Sequence, residues 1–142
     1  MLWAALQNEQ FDIAVNIQGD EPLIRGEILD SLVGAMIERP TVDMCTLGTQ
    51  IESEAELLNP NVVKIVVNQS HEAIYFSRFP IPYSREKVLK TRGVNMAHIG
   101  LYGYRKSFLR QFCETPACLL EQYEGLEQLR ALWMGAKIQV VP

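Results

Sequence analysis

Short apolar runs of extended character alternate with segments of helical periodicity along the whole chain. Residues 11–17 are almost continuously apolar and are followed by Gly19 and Pro22, which is typical of a strand buried on both faces of a sheet. Residues 26–38 then place apolar side chains at helical spacing, with Pro40 beyond the end. The alternation favours an α/β fold in which helices cover a partly parallel sheet.

The same patterns predict the remaining elements. Further strands are predicted at 42–48, 62–67, 73–77, 96–104 and 137–141, and further helices at 2–10, 53–58, 106–113 and 119–134. The polar residues 68–72 lie between two β-rich runs and predict an antiparallel hairpin. Because no repeat or low-complexity linker divides the chain, we expect one domain over residues 1–142.

Charge and hydropathy exclude two broad classes of partner. The 13 Lys and Arg against 17 Asp and Glu give a net charge of −4, without a long basic run, so nucleic-acid binding is not expected. No apolar run approaches the ~20 residues of a membrane span, so membrane insertion is not expected either. Three widely spaced cysteines are interpreted as buried or idle thiols in a reducing cytosol.

The first candidate for chemistry is the polar turn after the first predicted strand, which contains Gly19, Asp20 and Glu21. In open α/β sheets, ligands bind at the carboxyl ends of strands. Mg²⁺ prefers one or two carboxylates together with phosphate oxygens, and Asp20 suits that role. The alternative is a polar turn that only caps the next helix.

A second candidate is the proline-stiffened segment that carries Arg78 and Arg85. Prolines at 80 and 82 restrict the backbone and so limit the reach of both guanidinium groups. Such preorganised guanidinium groups bind carboxylates in a bidentate manner. Two solvated surface arginines are the alternative.

The third candidate lies on the predicted strand 96–104. His98, Gly100 and Tyr102 project to one face of that strand, because side chains alternate along it. Two ring groups beside a position without a side chain suit the floor of a pocket for a polyol. A hydrogen-bonded structural histidine is the alternative.

The fourth candidate is the predicted helix 119–134. At helical spacing, Leu126, Leu129 and Trp133 share the core side, and an opposite polar side carries Glu124, Glu127, Gln128 and Ala131. In a cleft these acceptors would bind hydroxyl groups, whereas on a surface they would form a solvated face.

Together these segments resemble the 3-deoxy-manno-octulosonate (Kdo) cytidylyltransferases, also called CMP-Kdo synthetases. The matching motifs are NIQGDEPL at 16–23, NPNVVK at 59–64, YFSR at 75–78 with Ile81-Pro82, HIGLYGYR at 98–105 and LEQYEGLEQLR at 120–130. The resemblance implies a nucleotidyltransferase (Rossmann-like) mixed sheet flanked by helices, with an antiparallel hairpin insertion. It implies a cytoplasmic, homodimeric enzyme of lipopolysaccharide biosynthesis that transfers CMP from CTP to Kdo and requires Mg²⁺.

The resemblance also assigns roles to particular residues. Asp20 is expected to be a catalytic metal ligand. The residues expected to contact the acid sugar are Gln18, Arg78, Arg85, His98, Tyr102, Glu127 and Gln128. Phosphoryl-type transfer depends on positioning and charge neutralisation, so no nucleophilic Ser or Cys is needed.

Two parts of the family pattern have no counterpart among these 142 residues. They are the Gly/Arg/Lys-rich loop that cradles the CTP phosphates and the second metal-binding Asp. We therefore expect a chain truncated at both ends, and inactive on its own. A sialic-acid-type cytidylyltransferase and a non-catalytic sugar-binding or dimerisation remnant are the alternatives.

Overall fold

The computed structural model describes residues 7, 10–17, 24–85 and 94–142. The strands are β1 (Ile13–Ile17), β2 (Met44–Gln50), β3 (Lys64–Val67), β4 (Ala73–Ser77), β5 (Met96–Arg105) and β6 (Ile138–Val141). The helices are α1 (Gly26–Glu38), α2 (Glu54–Leu58), α3 (Lys106–Glu114), α4 (Leu119–Glu124) and α5 (Gln128–Trp133). The helix predicted at 2–10 lies outside the described residues.

The long strand β5 organises a mixed sheet of six strands, of which five follow the order β4-β3-β5-β2-β6, while β1 pairs with β5 outside this order. It pairs antiparallel with β1, β2 and β3. β2 and β6 run parallel, and β3 and β4 form the predicted antiparallel hairpin. The prediction of a mixed, partly parallel α/β sheet with a hairpin is confirmed.

Helices cover both faces of this sheet. On one face, α1 packs Leu32 and Met36 against Cys45 and Leu101. Gly103 permits this close approach, because a Cβ there would lie 2.8 Å from the sulfur of Met36. On the other face, apolar residues of α3 and α5 cover the sheet in a second cluster that contains Tyr102 and Tyr104.

The hairpin turn between β3 and β4 is closed by one side chain. Asn68 Oδ1 accepts hydrogen bonds from the backbone N–H groups of Ser70 and Glu72, both at 2.9 Å. His71 has a φ of 57°, in the left-handed region that few residues other than glycine adopt. Its carbonyl accepts from the N–H of Val140, so the turn is fastened to β6.

The prediction of one helix over 119–134 is wrong. Gly125 has a φ of 63° and ends α4 in the left-handed conformation, so α5 starts in a new direction. The assignment of faces fails with it: Gln128 and Ala131 are 3% and 0% exposed, whereas Trp133 is 62% exposed. Gly135, with a φ of 83°, follows the end of α5 as predicted.

Two smaller expectations are settled by burial. β1 is partly rather than fully buried, since Ile17 is 47% exposed at its end. Cys45 and Cys118 are buried free thiols, and Cys113 is a half-buried one.

Within the described ranges, no helix has both the length and the apolar character that a membrane crossing requires.

Candidate functional site

An aromatic row on β5 forms the floor of the candidate site. The His98 ring meets Phe76 edge-on at 5.2 Å between centroids, and it lies 5.3 Å from the ring of Tyr102. Tyr104 continues the row at 6.0 Å from Tyr102. His98 and Tyr102 therefore share one face, as the alternation of the strand predicts, while Leu101 packs in the cluster on the other face.

A bulge in β5 brings a buried threonine to this row. Thr46 is paired with Tyr102, but the next residue of β2, Leu47, is paired with Ile99, so two residues of β5 are left over. Because two extra residues keep the alternation in phase, Thr46 and His98 lie on the same face. Thr46 Oγ1 and His98 Nε2 are 2.8 Å apart.

The contacts of Thr46 decide which ring nitrogen of His98 carries the proton. Thr46 Oγ1 also lies 2.9 Å from the carbonyl oxygen of Leu101 and 3.3 Å from that of Ile99. Carbonyl oxygens only accept, so the single hydroxyl proton is directed to them, and His98 Nε2–H donates to Thr46. Nδ1 of His98 is then the acceptor of the ring.

His98 is held in its neutral form. Burial lowers the pKa of His98 from its usual 6.5 to about 4, because the imidazolium loses solvation there. At neutral pH the ring therefore offers one donor and one acceptor and carries no charge. A neutral acceptor suits a sugar hydroxyl, whereas an imidazolium would not accept from one.

This depressed pKa predicts how stability depends on pH. Between pH 6.5 and pH 4 the unfolded chain protonates His98 and the folded chain does not, so the free energy of unfolding falls as the pH is lowered. The contribution amounts to at most about 1.4 kcal/mol per pH unit. Urea denaturation of His98→Gln at several pH values should show a flatter profile than the parent.

The second histidine provides the control for that experiment. His71 is exposed in the hairpin turn, and Asn tolerates its left-handed backbone, so His71→Asn should keep the steep profile of the parent. Equal slopes in the parent and in His98→Gln would show that His98 is not neutral in the folded protein.

Tyr102 and Glu127 lie close enough to interact electrostatically. Tyr102 is 5% exposed, and burial, followed by the charge of Glu127, raises the pKa of its hydroxyl. The phenol therefore stays protonated and is a hydrogen-bond donor. Glu127 is exposed and immediately precedes α5. A donor and a carboxylate acceptor thus stand at the end of the aromatic row.

Gln128 is the least explained polar group in the described part of the chain. It is the first residue of α5 and only 3% exposed, yet its Nε2 has no hydrogen-bond partner there. A buried amide nitrogen without an acceptor is costly, at about 1–3 kcal/mol, and native structures rarely leave one unless a ligand or a water fills the place. This orphaned donor indicates a binding role.

Arg78 lies nearby but is already engaged. Its Nε donates to the carbonyl oxygen of Glu124 at 2.7 Å, and its Nη atoms donate to those of Pro60 at 3.0 Å and Gly125 at 3.3 Å. These contacts hold the turn that leads to Glu127. The predicted sugar contact of Arg78 therefore stays a prediction, and the observed role is to fix that turn.

Of the remaining predicted residues, only Arg85 lies in the described part of the chain. Arg85 is exposed at the end of the 24–85 segment. Gln18 and Asp20 lie outside the described residues, so their roles stay predictions. Over the described ranges, no group of three or more His, Cys, Asp or Glu side chains converges to hold a metal ion.

Sequence reasoning missed one member of the site, Thr46, and a contact that Glu124 makes shortly before Gln128 in the chain. Thr46, which is fully buried on β2, determines which ring nitrogen of His98 carries the proton. Glu124 anchors the segment before Gln128, and its carboxylate accepts from Ser77 Oγ at 2.6 Å. A hydroxyl within an apolar strand was the available signal for Thr46. The helical pattern places Glu124 on a polar side, but its contact with Ser77, 47 residues away, has no local signal.

The cluster is suited to a compound with several hydroxyl groups. His98 offers an acceptor, Tyr102 a donor, Glu127 a carboxylate acceptor and Gln128 an unused amide donor. Tyr102 and Gln128 are buried, which strengthens the hydrogen bonds they make, whereas Glu127 is exposed. The arrangement binds and orients a polar molecule, and it contains no activated nucleophile.

Comparison with known proteins gives consistent matches. A family model described as cytidylyltransferase matches residues 2–138. The 3-deoxy-manno-octulosonate cytidylyltransferase of Bdellovibrio bacteriovorus is 49% identical over 140 residues, which cover 97% of this chain and 56% of that protein. The enzyme of the same name from Neisseria gonorrhoeae is 43% identical over 143 residues, which cover 96% of this chain and 56% of that protein.

A solved structure agrees with the sequence matches. The structure of CMP:2-keto-3-deoxy-manno-octonic acid synthetase complexed with CTP superposes with a TM-score of 0.89 at 39% identity. The alignment covers 99% of this chain and 56% of that one. The chain therefore spans little more than half the length of the relatives that it matches.

Proposed function

Because the chain belongs to the cytidylyltransferase family, we propose that its protein transfers CMP from CTP to Kdo, giving CMP-Kdo and pyrophosphate. The observation that carries the sugar half of this proposal is the orphaned Nε2 of the buried Gln128, which directly follows Glu127 in the chain. The product would enter lipopolysaccharide synthesis in the cytoplasm.

The sugar suits the cluster group by group. Kdo is a polyhydroxy acid, so its hydroxyls can donate to His98 Nδ1 and to the Glu127 carboxylate. They can accept from the Tyr102 hydroxyl and from Gln128 Nε2. Gln18 completes this set in the proposal. Arg85 is assigned to the sugar carboxylate, because a guanidinium pairs both carboxylate oxygens.

The transfer itself requires orientation more than covalent help. The anomeric hydroxyl oxygen of Kdo forms a bond to the α-phosphorus of CTP, the bond from that phosphorus to the bridging oxygen breaks, and pyrophosphate leaves, while the hydroxyl proton passes to solvent. A cysteine nucleophile is not needed, and burial raises the pKa of Cys45 to about 12, which keeps that thiol protonated.

We include Mg²⁺ in the proposal through Asp20, on the sequence pattern that contains it. A carboxylate at the end of a strand is a donor type that Mg²⁺ accepts. The ion would neutralise charge on the CTP phosphates. Among the described residues, no group of three or more His, Cys, Asp or Glu forms a metal site of its own.

The choice of sugar is tested by pyrophosphate release from CTP, measured with the protein in its full natural length. We expect release with Kdo at a turnover of roughly 1–10³ per second, and at least ~10²-fold less with sialic acid at equal concentration. Faster turnover with sialic acid would replace Kdo by a related acid sugar. Binding of Kdo without any release would support a non-catalytic role instead.

The homodimer is a further part of the proposal, and an apolar surface on α4 supports it. Leu119, Leu120 and Tyr123 are 73%, 41% and 90% exposed, and large apolar side chains grouped on one helix are typical of interfaces. Tyr123→Glu places a charge on this surface. We expect it to shift the mass measured by light scattering from dimer to monomer, whereas Gln122→Glu, also exposed on α4, should not. A monomeric parent protein would contradict the proposal.

A further inference from the structure

A half-buried junction joins the end of β4 to the end of α4, outside the sugar cluster. We call Ser77, Arg78 and Glu124 the β4–α4 junction. The Glu124 carboxylate accepts from Ser77 Oγ at 2.6 Å and from the backbone N–H of Arg78 at 2.9 Å. Tyr75 also hydrogen-bonds to this carboxylate, and burial together with the charge of Glu124 raises the pKa of the phenol. Both carboxylate oxygens of Glu124 are thus engaged.

The guanidinium group of Arg78 completes the junction by binding the backbone of Glu124, whose side chain binds the backbone of Arg78. It donates to the carbonyl oxygens of Glu124 and Gly125, which lie at the end of α4, where no further turn of helix supplies N–H donors to them. A cation at a helix C-terminus also has favourable electrostatics, although α4 is short. The third donor of Arg78 reaches Pro60 and so ties the junction to the loop before β3.

A buried lysine supports that loop. Lys64 is 0% exposed, and its Nζ donates to the carbonyl oxygens of Asn59 at 2.9 Å and Val62 at 2.6 Å. These two residues flank Pro60, the acceptor of Arg78. Lys64 and Arg78 therefore both donate to carbonyl oxygens of this loop, and Lys64 holds the loop in place where Arg78 binds it.

The β4–α4 junction lies directly before two of the proposed sugar-binding residues in the chain. Only Gly125 and Leu126 separate Glu124 from Glu127 and Gln128, and the left-handed φ of Gly125 sets the direction of α5. We propose that Arg78 and Glu124 are positioning residues that hold Glu127 and Gln128 in the sugar cluster, and that they affect sugar affinity through those two residues. The proposal rests on the proposed function for its sugar readout.

Arg78→Lys is the most informative change. Lysine keeps the charge, but its single ammonium cannot donate to three carbonyl oxygens arranged around a planar group. We expect the KM for Kdo to rise about 10- to 100-fold, as for a binding group displaced by a fraction of an ångström to an ångström. The KM for CTP should stay unchanged. Ser77→Ala should also raise the KM for Kdo, but by less. It replaces Arg78→Lys as the test variant if Arg78→Lys folds poorly.

A matched control separates this role from general stability. Arg39 also donates to a backbone carbonyl, that of Ser70, and to the side chain of Gln139, on another part of the fold. Arg39→Lys should leave the KM for Kdo unchanged even if it lowers the melting temperature. An equal rise in that KM for Arg39→Lys would overturn the proposal.

Two further measurements distinguish positioning from direct contact and from failure of the sugar assignment. Backbone amide exchange at residues 126–129 should be faster in Arg78→Lys without any ligand, and unchanged exchange would overturn the proposal. In a double-mutant cycle, Gln128→Ala should remove most of the effect of Arg78→Lys on the KM for Kdo. Additive effects would mean that Arg78 contacts the sugar itself, which also overturns it. If Gln128→Ala alone leaves that KM unchanged, the proposed sugar site fails, while the exchange result still decides the positioning role.

Discussion

Asp20→Asn should reduce CTP-dependent pyrophosphate release by ~10²–10³-fold with little change in the free energy of unfolding. The change keeps the shape of the side chain but removes the charge that the proposal assigns to Mg²⁺. Since this role is electrostatic, the loss should appear mainly in kcat and should persist at millimolar Mg²⁺. Steady-state kinetics with CTP and Kdo, combined with urea denaturation of the same variant, measures both quantities.

Asp30→Asn is the matched control for this prediction, because Asp30 is an exposed carboxylate on α1. It should keep the parent rate. If Asp20→Asn retained a near-parent rate, Asp20 would not be a metal ligand, and the polar-turn interpretation of that segment would stand. A collapse of stability in Asp20→Asn alone would likewise assign it to the fold.

Arg85→Lys should weaken Kdo binding by about ten- to a hundredfold, since a hydrogen bond to a charged group contributes ~1.5–3 kcal/mol. Lysine keeps the positive charge but loses the planar fork that pairs both oxygens of a carboxylate. The KM for CTP should hardly change. Arg85 is exposed, so its substitution should not affect folding.

Arg110→Lys serves as the control, because Arg110 is exposed on α3. It should leave both constants as in the parent. If Arg85→Lys weakened CTP and Kdo equally, Arg85 would act on the triphosphate or on the fold. If it changed neither constant, it would be a solvated surface residue.

Local signals were sufficient for most of the architecture. The hairpin followed from two β-rich runs around a polar turn, and the shared face of His98 and Tyr102 followed from the period of two along β5. These features depend on neighbours in sequence. The mixed sheet also followed, because strands that alternate with helices leave few other arrangements.

The interruption at Gly125 was not predicted, for a physical reason. A glycine inside a helical pattern costs only about 1 kcal/mol, so periodicity alone does not show that the chain turns there. The left-handed turn depends on the contacts of Arg78, 47 residues away from Gly125. As a result, the burial of Gln128 and the exposure of Trp133 were assigned to the wrong faces.

The chemistry of the site was predicted by residue type more than by contact. The motifs identified His98, Tyr102, Glu127 and Gln128 as candidates, and the structure shows that electrostatics and ring contacts connect the first three. The neutral tautomer of His98 depends on its hydrogen bond with Thr46. A bulge in β5, which no sequence pattern predicts, brings the two residues together. Such tertiary hydrogen bonds are beyond local periodicity.

Nuclear magnetic resonance of the Gln128 side chain tests most directly whether its buried amide binds the sugar. The two Nε2 proton resonances can be assigned by their absence in Gln128→Leu. On saturation with Kdo, in the absence of CTP, at least one of them should shift downfield as the amide gains an acceptor. If both resonances stay unshifted while Kdo is bound, Gln128 does not bind the sugar and the account of the site is contradicted.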